Sequence, residues 1–424
     1  MKRYGDESYV CHECFADSGL RDFVRRHAGA RECSFCRKSS RKRIAASLEQ
    51  VINHMDECIR TEYDEAANCL GRDDGKWVGA AYWNTYELLT DEIELDLPKD
   101  NKDELFEAIL SGLDNTDWCH RDPYGLTESE ITRFSWDHFC RICKHKRHFF
   151  FLDQADPSDS EILSPEEVLK RITDYAEEVR LFKTLAPGFK IFRARYQRPG
   201  EPLRTSRQLG PPIQSEAVRP NRMSPAGIVM FYSSDSPNTA LRETSKAPGT
   251  FVVGEWCLTR ETTVLDLNSL PPIPSLFQEV SDAMEYDPRR LLMFLHHISR
   301  EISKPIERDA QTHIEYVPTQ VVTEYVRSYL PFDGKGVDGI RYPSSVHPGH
   351  ASFVFFATQD NILPVPNEEP RFTKVRQRWI ELVGRRSYSV RPDQVASWNE
   401  NPMQKTRRLI AKINTKSRGS WTRV

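Results

Sequence analysis

The stretch that decides the fold runs Phe189-Lys-Ile-Phe-Arg-Ala-Arg-Tyr196, then Arg222-Met-Ser-Pro-Ala-Gly-Ile-Val-Met-Phe-Tyr232, then Ser233-Ser-Asp-Ser-Pro-Asn-Thr-Ala-Leu-Arg-Glu243. Its first segment alternates apolar and charged residues, the period of a half-buried strand, and ends on arginines. Residues 227–233 are a short apolar run opened by Pro225-Ala226-Gly227 and predict a buried strand. Residues 237–243 predict a helix, with Pro237 near its start, Ala240 and Leu241 inside and Glu243 about one turn on. Arg193, Arg222, Tyr232 and Glu243 then sit at strand ends and a helix start, where binding and catalytic groups collect.

Outward from this stretch, Ser164-Pro165-Glu166-Glu167 has the signature of a capped helix start, with Val168, Leu169, Ile172, Tyr175, Ala176 and Val179 as its apolar face. Downstream, strands are expected over 251–258, 262–267, 339–342 and 352–356, and helices over 276–302 and 319–330. Strands and helices mix without strict alternation, so this half reads as α+β. No Gly-x-Gly-x-x-Gly or Walker A sequence occurs, which removes Rossmann and P-loop sites from consideration.

The N-terminal third reads differently. Cys11-x-x-Cys14 and Cys33-x-x-Cys36 have the spacing of a four-cysteine zinc site. Four thiolates complete a tetrahedron, so the ion would be structural. The alternative is four reduced core thiols. Apolar residues at helical spacing follow over 44–59, 82–97 and 105–113, and another helix is expected over 127–148. These predict a zinc ribbon over 1–40 and an α-helical bundle over 41–152. Cys119-His120, Cys140-x-x-Cys143, His145 and His148 offer a weaker metal pattern. The polar stretch 153–164 reads as a linker.

Of 424 residues, 38% are hydrophobic and 29% charged, enough apolar sequence for packed cores in a polar, loop-rich chain. The start has no apolar signal region and no apolar run approaches 18 residues, so a cytoplasmic protein without a membrane span is expected. Net charge is −3, but residues 371–424 carry 14 Lys and Arg against 3 Asp and Glu. The segment 361–424 therefore reads as a basic C-terminal tail, either solvated or in contact with nucleic acid.

The ordered set Arg193, Arg222, Gly227, Tyr232-Ser-Ser and Ala240-Leu-Arg-Glu243 resembles the RES domain, named for its Arg, Glu and Ser. The later family serine falls on Ser344, in Asp338-Gly-Ile-Arg-Tyr-Pro-Ser-Ser-Val-His-Pro-Gly349. Where the family reads Gly-Arg-Trp-Asn, this chain has Asn221-Arg222-Met223-Ser224. The resemblance spans the expected domain 165–360. It implies a fold similar to ADP-ribosyltransferases, a HEPN-like N-terminal domain and a toxin that consumes NAD. HEPN ribonucleases use Arg-x4–6-His on a helix, and Arg133 to His138 and Arg141 to His148 have that spacing.

The chemistry of the residues agrees with that implication. Arginine forks recognise phosphate bidentately, tyrosine offers a flat face and a hydroxyl, and a carboxylate stabilises an oxocarbenium-like sugar cation. Arg193 and Arg222 are expected on the pyrophosphate of NAD, Tyr232 on the nicotinamide or its ribose, Glu243 on the ribose hydroxyls and developing cation, and Ser344 on the ribose or amide. Arg195, Tyr196 and His350 are secondary candidates. The readings left open are NAD glycohydrolase or phosphorylase, ADP-ribosyltransferase acting on a protein, HEPN-type ribonuclease, and an inactive zinc-bearing interaction module. An inhibitory antitoxin, or restraint by the N-terminal domain, would accompany a toxin.

Overall fold

The computed structural model describes residues 8–98, 102–148, 161–279, 287–305, 312–331, 333–363 and 378–399. The linker sequence to residue 160 and much of the basic tail, 364–377 and 400–424, lie outside them. The chain divides into two compact units, Met1–Phe134 with Pro271–Phe294, and Ser135–Leu270 with Leu295–Val424.

In the first unit Tyr9–Cys11 pairs antiparallel with Ala45–Ser47. Helix α1 (Ser18–Arg26) starts where Asp17 Oδ1 accepts from the Leu20 backbone N–H at 2.9 Å, and it turns Leu20, Phe23 and Val24 inward. Helix α2 (Leu48–Glu62) buries Val51, Ile52, Met55 and Ile59, the stripe its periodicity predicts. Helix α3 (Lys102–Gly112) adds Leu105, Ala108 and Ile109.

The unit is not purely helical. Tyr63–Glu65, Asp117–His120 and Trp83–Asn84 form a small sheet, and Gly71–Asp73 pairs with Lys76–Val78. The helix expected over 82–97 shrinks to Thr85–Glu92. Trp83 and Asn84 are spent on strand pairing, and Asn84 caps the turn that follows by accepting from Glu87 N at 2.9 Å. Strands of two to four residues leave no periodicity to read.

A segment from far along the chain completes this core. Phe277 is 1% exposed and packs among these residues. His54 Nε2 donates to its carbonyl at 2.9 Å, and Ser275 Oγ donates to Asp17 Oδ1 at 2.9 Å. The approach is so close that a Cβ at Gly19 would lie 2.5 Å from the Phe277 carbonyl carbon. Residues 271–294, which the sequence reading placed inside one C-terminal domain, therefore belong with the first unit.

The second unit is built on a nine-stranded mixed sheet. Its strands are β1 (Phe182–Leu185), β2 (Lys190–Tyr196), β3 (Phe231–Ser234), β4 (Gly249–Leu258), β5 (Thr262–Asp266), β6 (Gly339–Pro343), β7 (Ala351–Phe355), β8 (Ile362–Leu363) and β9 (Ile380–Val390). The order across the sheet is β8-β9-β4-β2-β3-β7-β6-β5-β1. Only β5/β6 and β8/β9 are parallel. Phe231, Val252, Trp256, Val264 and Phe353 belong to one buried cluster. Helix α4 (Pro237–Thr244) packs Ala240 and Leu241 with Ala194, Phe251 and Val253 in another. The helix expected after Ser164 forms over Pro165–Glu178 with the anticipated capping box.

Two expectations are corrected here. The strand expected over 227–233 begins only at Phe231. Residues 225–228 make a turn, with Gly227 at φ 87°. The stretch 380–390, read as part of a tail from its charge, is strand β9. It pairs with β4 from Gly249↔Val390 to Leu258↔Ile380. Its buried ends, Ile380 and Val390, explain the pairing, while Arg385 and Arg386 face solvent as edge-region charges commonly do.

One irregularity positions the site. β2 and β3 are neighbours, yet they share a single register pair, Ser234↔Phe192. Beyond Phe192 the edge of β2 is free on that side, and the sheet is split.

Candidate active site in the split sheet

A cleft of about 790 Å³ lies at this split. Consecutive residues Phe192 to Tyr196 line it, which a strand facing a cavity with only one side could not do. Helix α4, the β6–β7 hairpin and the loop before β3 supply most of the rest, with Pro305 and Tyr316 from later in the chain. Six cations (Arg193, Arg195, Arg198, Arg219, Arg222 and Lys246) line it against two carboxylates, Glu216 and Glu243. Such a surplus selects for an anionic ligand.

Arg193 NH1 donates to the Tyr232 carbonyl at 2.6 Å, a group the split leaves without a strand partner on that side. Its Nε is buried and, among the described residues, has no hydrogen-bond partner. Burial first, and then the neighbouring Arg195, hold the Arg193 pKa well below the ordinary arginine value. A guanidinium does not give up its proton in a protein, so that shift expresses desolvation that an anion would relieve. Arg195, two residues on, repeats the pattern. Its NH2 donates to the Gly210 carbonyl, its Nε is likewise unpartnered among the described residues, and burial lowers its pKa.

Glu243 lies in the last turn of α4, not near the helix start. The helix dipole disfavours a carboxylate there, and other groups hold it. Ser344 Oγ donates to Glu243 Oε1 at 2.7 Å, and Ser352 Oγ donates to the same oxygen at 2.9 Å. Ser344 follows β6 and Ser352 lies on β7, where it is the register partner of Tyr342. Tyr342 also lines the cleft, and burial followed by the Glu243 charge pushes its phenol pKa up.

Tyr232 faces the cleft from β3. Its hydroxyl is 2.9 Å from Ser224 Oγ and accepts from the Met223 backbone N–H at 3.3 Å. Burial pushes its pKa up to about 12, so it keeps its proton at neutral pH. The residues at the altered Trp-Asn positions thus fix the tyrosine. Arg222 lines the cleft with one arm committed, NH1 donating to the Ile302 carbonyl at 2.6 Å. The split cleft therefore gathers Arg193, Arg222, Tyr232 and Glu243, with Ser344 behind Glu243. His350 instead pairs with Asp235 at 3.2 Å. Sequence reasoning missed Ser352 and Tyr342, whose roles come from hairpin register.

Comparison with protein families decides the matter. A family model described as RES domain matches residues 191–376, and one described as HEPN/RES N-terminal domain 1 matches residues 26–157. This chain carries a RES domain behind a HEPN/RES N-terminal domain. No curated protein and no solved structure matches it. RES domains are associated with NAD-utilising enzymatic activity, which makes NAD the ligand this family implies. No described helix is long and apolar enough to cross a membrane.

Ahead of and into the HEPN/RES N-terminal domain lies the cysteine cluster. Sγ atoms of Cys11, Cys14, Cys33 and Cys36 all fall within 4.8 Å of one another. Individual separations are 3.7 Å (Cys11 to Cys14), 3.5 Å (Cys11 to Cys36) and 3.6 Å (Cys14 to Cys33). Tetrahedral zinc with bonds of about 2.3 Å requires sulfur separations of about 3.8 Å, so the four residues fit the ion. The Cys11 backbone N–H also donates to Cys33 Sγ at 3.3 Å, as a thiolate ligand requires of its surroundings. No second such group occurs among the described residues. Of the two Arg–His spacings in the HEPN-like region, Arg133 lies over the Phe134 ring at 4.7 Å, and Arg141 NH2 donates to His138 Nδ1 at 2.9 Å.

Proposed function

We propose that this RES-domain protein binds NAD in the split-sheet cleft and cleaves its nicotinamide–ribose bond. The observation that carries the reading is the Glu243 carboxylate, fixed by two serine hydroxyls in a cleft lined by six cations against two carboxylates. Arg193 and Arg222 would take the pyrophosphate. Tyr232, as a neutral donor, would hold the nicotinamide ribose or amide.

When the C1′–N bond breaks, its electron pair neutralises the pyridinium ring and positive charge moves to the ribose. Glu243 would meet that charge through the oxygen the serines leave open. A water then attacks C1′ and releases a proton, giving nicotinamide, ADP-ribose and H⁺. Because the leaving group is already cationic, no general acid is required. Preorganised charge of this kind stabilises the transition state without reorganisation at the moment of reaction. Phosphate or a protein side chain in place of water would make the enzyme a phosphorylase or an ADP-ribosyltransferase, the fold relationship the family resemblance implies. Uncontrolled loss of NAD is toxic, so an inhibitor or an internal restraint belongs to the same reading.

The test is to incubate purified full-length protein with NAD and follow free nicotinamide, with RNA in a parallel reaction. Nicotinamide release that disappears in Glu243→Gln supports the proposal. Intact NAD with degraded RNA would replace it with the ribonuclease reading.

A further inference from the structure

Tyr196 closes strand β2 three residues beyond Arg193, about 10 Å along the strand and on its other face, the face of Phe192 and Ala194. It lines the same cleft and is 51% exposed. Exposure does not leave it loose. Phe251, its register partner on β4, meets it edge-on with ring centroids 5.4 Å apart. Its ring also lies against Gly249, where a Cβ would come within 2.6 Å of Tyr196 Cε2. The chain thus pins an aromatic ring from two sides and leaves another side to the cleft. Two further apolar side chains of the cleft, Val218 and Ile228, are 73% and 36% exposed. Exposed apolar groups in a wall otherwise rich in arginine form a place for a flat, uncharged ring attached to an anion.

A nucleobase joined through ribose to a phosphate has that chemistry. Every base offers a π-face, and a ring already held in place loses little freedom on stacking. We infer that Tyr196 is the stacking platform for the adenine of the dinucleotide, with Arg193 and Arg222 taking the pyrophosphate across the split edge of β2. Naming the base as adenine rests on the NAD reading. The platform itself rests on the ring, its two supports and the cations that line the same cleft. The nicotinamide half lies by Glu243 and Tyr232, so Tyr196 sets affinity for ligands that carry the base while leaving bond cleavage alone.

The experiment is a calorimetric titration of the full-length protein with 5′-AMP and with ribose 5-phosphate, for wild type, Tyr196→Ala and Tyr196→Trp. Wild type should bind AMP more tightly than the base-free sugar phosphate. Tyr196→Ala should weaken AMP by about ten- to a hundredfold, leave ribose 5-phosphate unchanged and melt at the wild-type temperature, while Tyr196→Trp keeps the AMP affinity. In NAD turnover, Tyr196→Ala should raise KM by a similar factor with kcat held. Equal affinity of wild type and Tyr196→Ala for AMP overturns the platform, as does a wild type that does not prefer AMP to ribose 5-phosphate. A wild type that releases no nicotinamide would instead sink the enzymatic reading, and the AMP comparison would still decide the platform.

Discussion

The cysteine cluster and the split-sheet cleft are built on opposite logic. The four thiols converge on one point, and every one of them has its partners in the other three. The cleft leaves Arg193 Nε and Arg195 Nε buried and unpartnered among the described residues, in a lining dominated by cations. A site that satisfies itself around an ion holds structure. A site that gathers cations in excess of carboxylates, some with desolvated guanidinium nitrogens, carries a free-energy cost that an anionic ligand offsets. The two should therefore respond to mutation in opposite ways, one through stability and the other through turnover.

The largest effect is expected at the four cysteines, which could hold a metal ion. Structural zinc contributes about 10 kcal/mol or more to small four-ligand elements. Chelation, or Cys11→Ser, should abolish hydrogen-exchange protection around residues 8–47 and release one zinc per chain by elemental analysis. Protection that survives in metal-free protein would make the cluster four reduced thiols. Next comes Glu243→Gln. The amide oxygen can still accept from Ser344 and Ser352, so the melting temperature should hold. The developing ribose charge loses its counterion, which costs roughly 3–4 kcal/mol, about a hundred- to a thousandfold in kcat, with KM nearly constant. Full turnover by this variant would mean that the site is misassigned.

Arg193→Ala should show the third effect, and a different signature. Pyrophosphate is charged throughout the reaction, so KM should rise by about ten- to a hundredfold, the range for one charged hydrogen-bonding group. The melting temperature should stay level or increase, because the change removes a desolvated cation that lacks a carboxylate partner. A large fall in melting temperature with unchanged KM would turn Arg193 into a structural residue. The smallest effect concerns pH. Tyr232 titrates near 12 in the folded chain against about 10 unfolded. Below pH 10 both states hold the proton and the full stability is present. As pH rises from 10 towards 12 the unfolded chain releases the proton first, so stability falls in that window. Tyr232→Phe should flatten part of the fall in denaturant melts across it.

How much of each region could be read in the sequence follows the same division. Cys11, Cys14, Cys33 and Cys36 were legible because a metal site repeats a local spacing. Arg193, Tyr232 and Glu243 were legible through their order along a family-like stretch, though nothing there showed that Glu243 closes its helix. Ser352 was not legible. In Ala351-Ser-Phe-Val-Phe355 it reads as an ordinary strand residue, and only the register Tyr342↔Ser352 brings it to Glu243. Strand β9 was hidden by its charge, since arginines at 385 and 386 outweighed the buried ends. Residues 271–294 were hidden because burial against a distant helix leaves no local trace beyond an unexplained Phe277.

That last segment affects how the protein is made. The first unit holds residues 1–134 together with 271–294, and Phe277, with Leu276 against it, completes its core. A ribosome must add 160 residues between Phe134 and Phe294 before that core can close, and at about 5–20 residues per second this takes roughly 8–32 s. For that interval the nascent N-terminal region waits with an open apolar face, while much of the sequence that will form the RES sheet is being synthesised. Cutting the gene at the apparent boundary near residue 160 would leave each product in a permanent version of that unfinished state, one lacking its plug and the other exposing it.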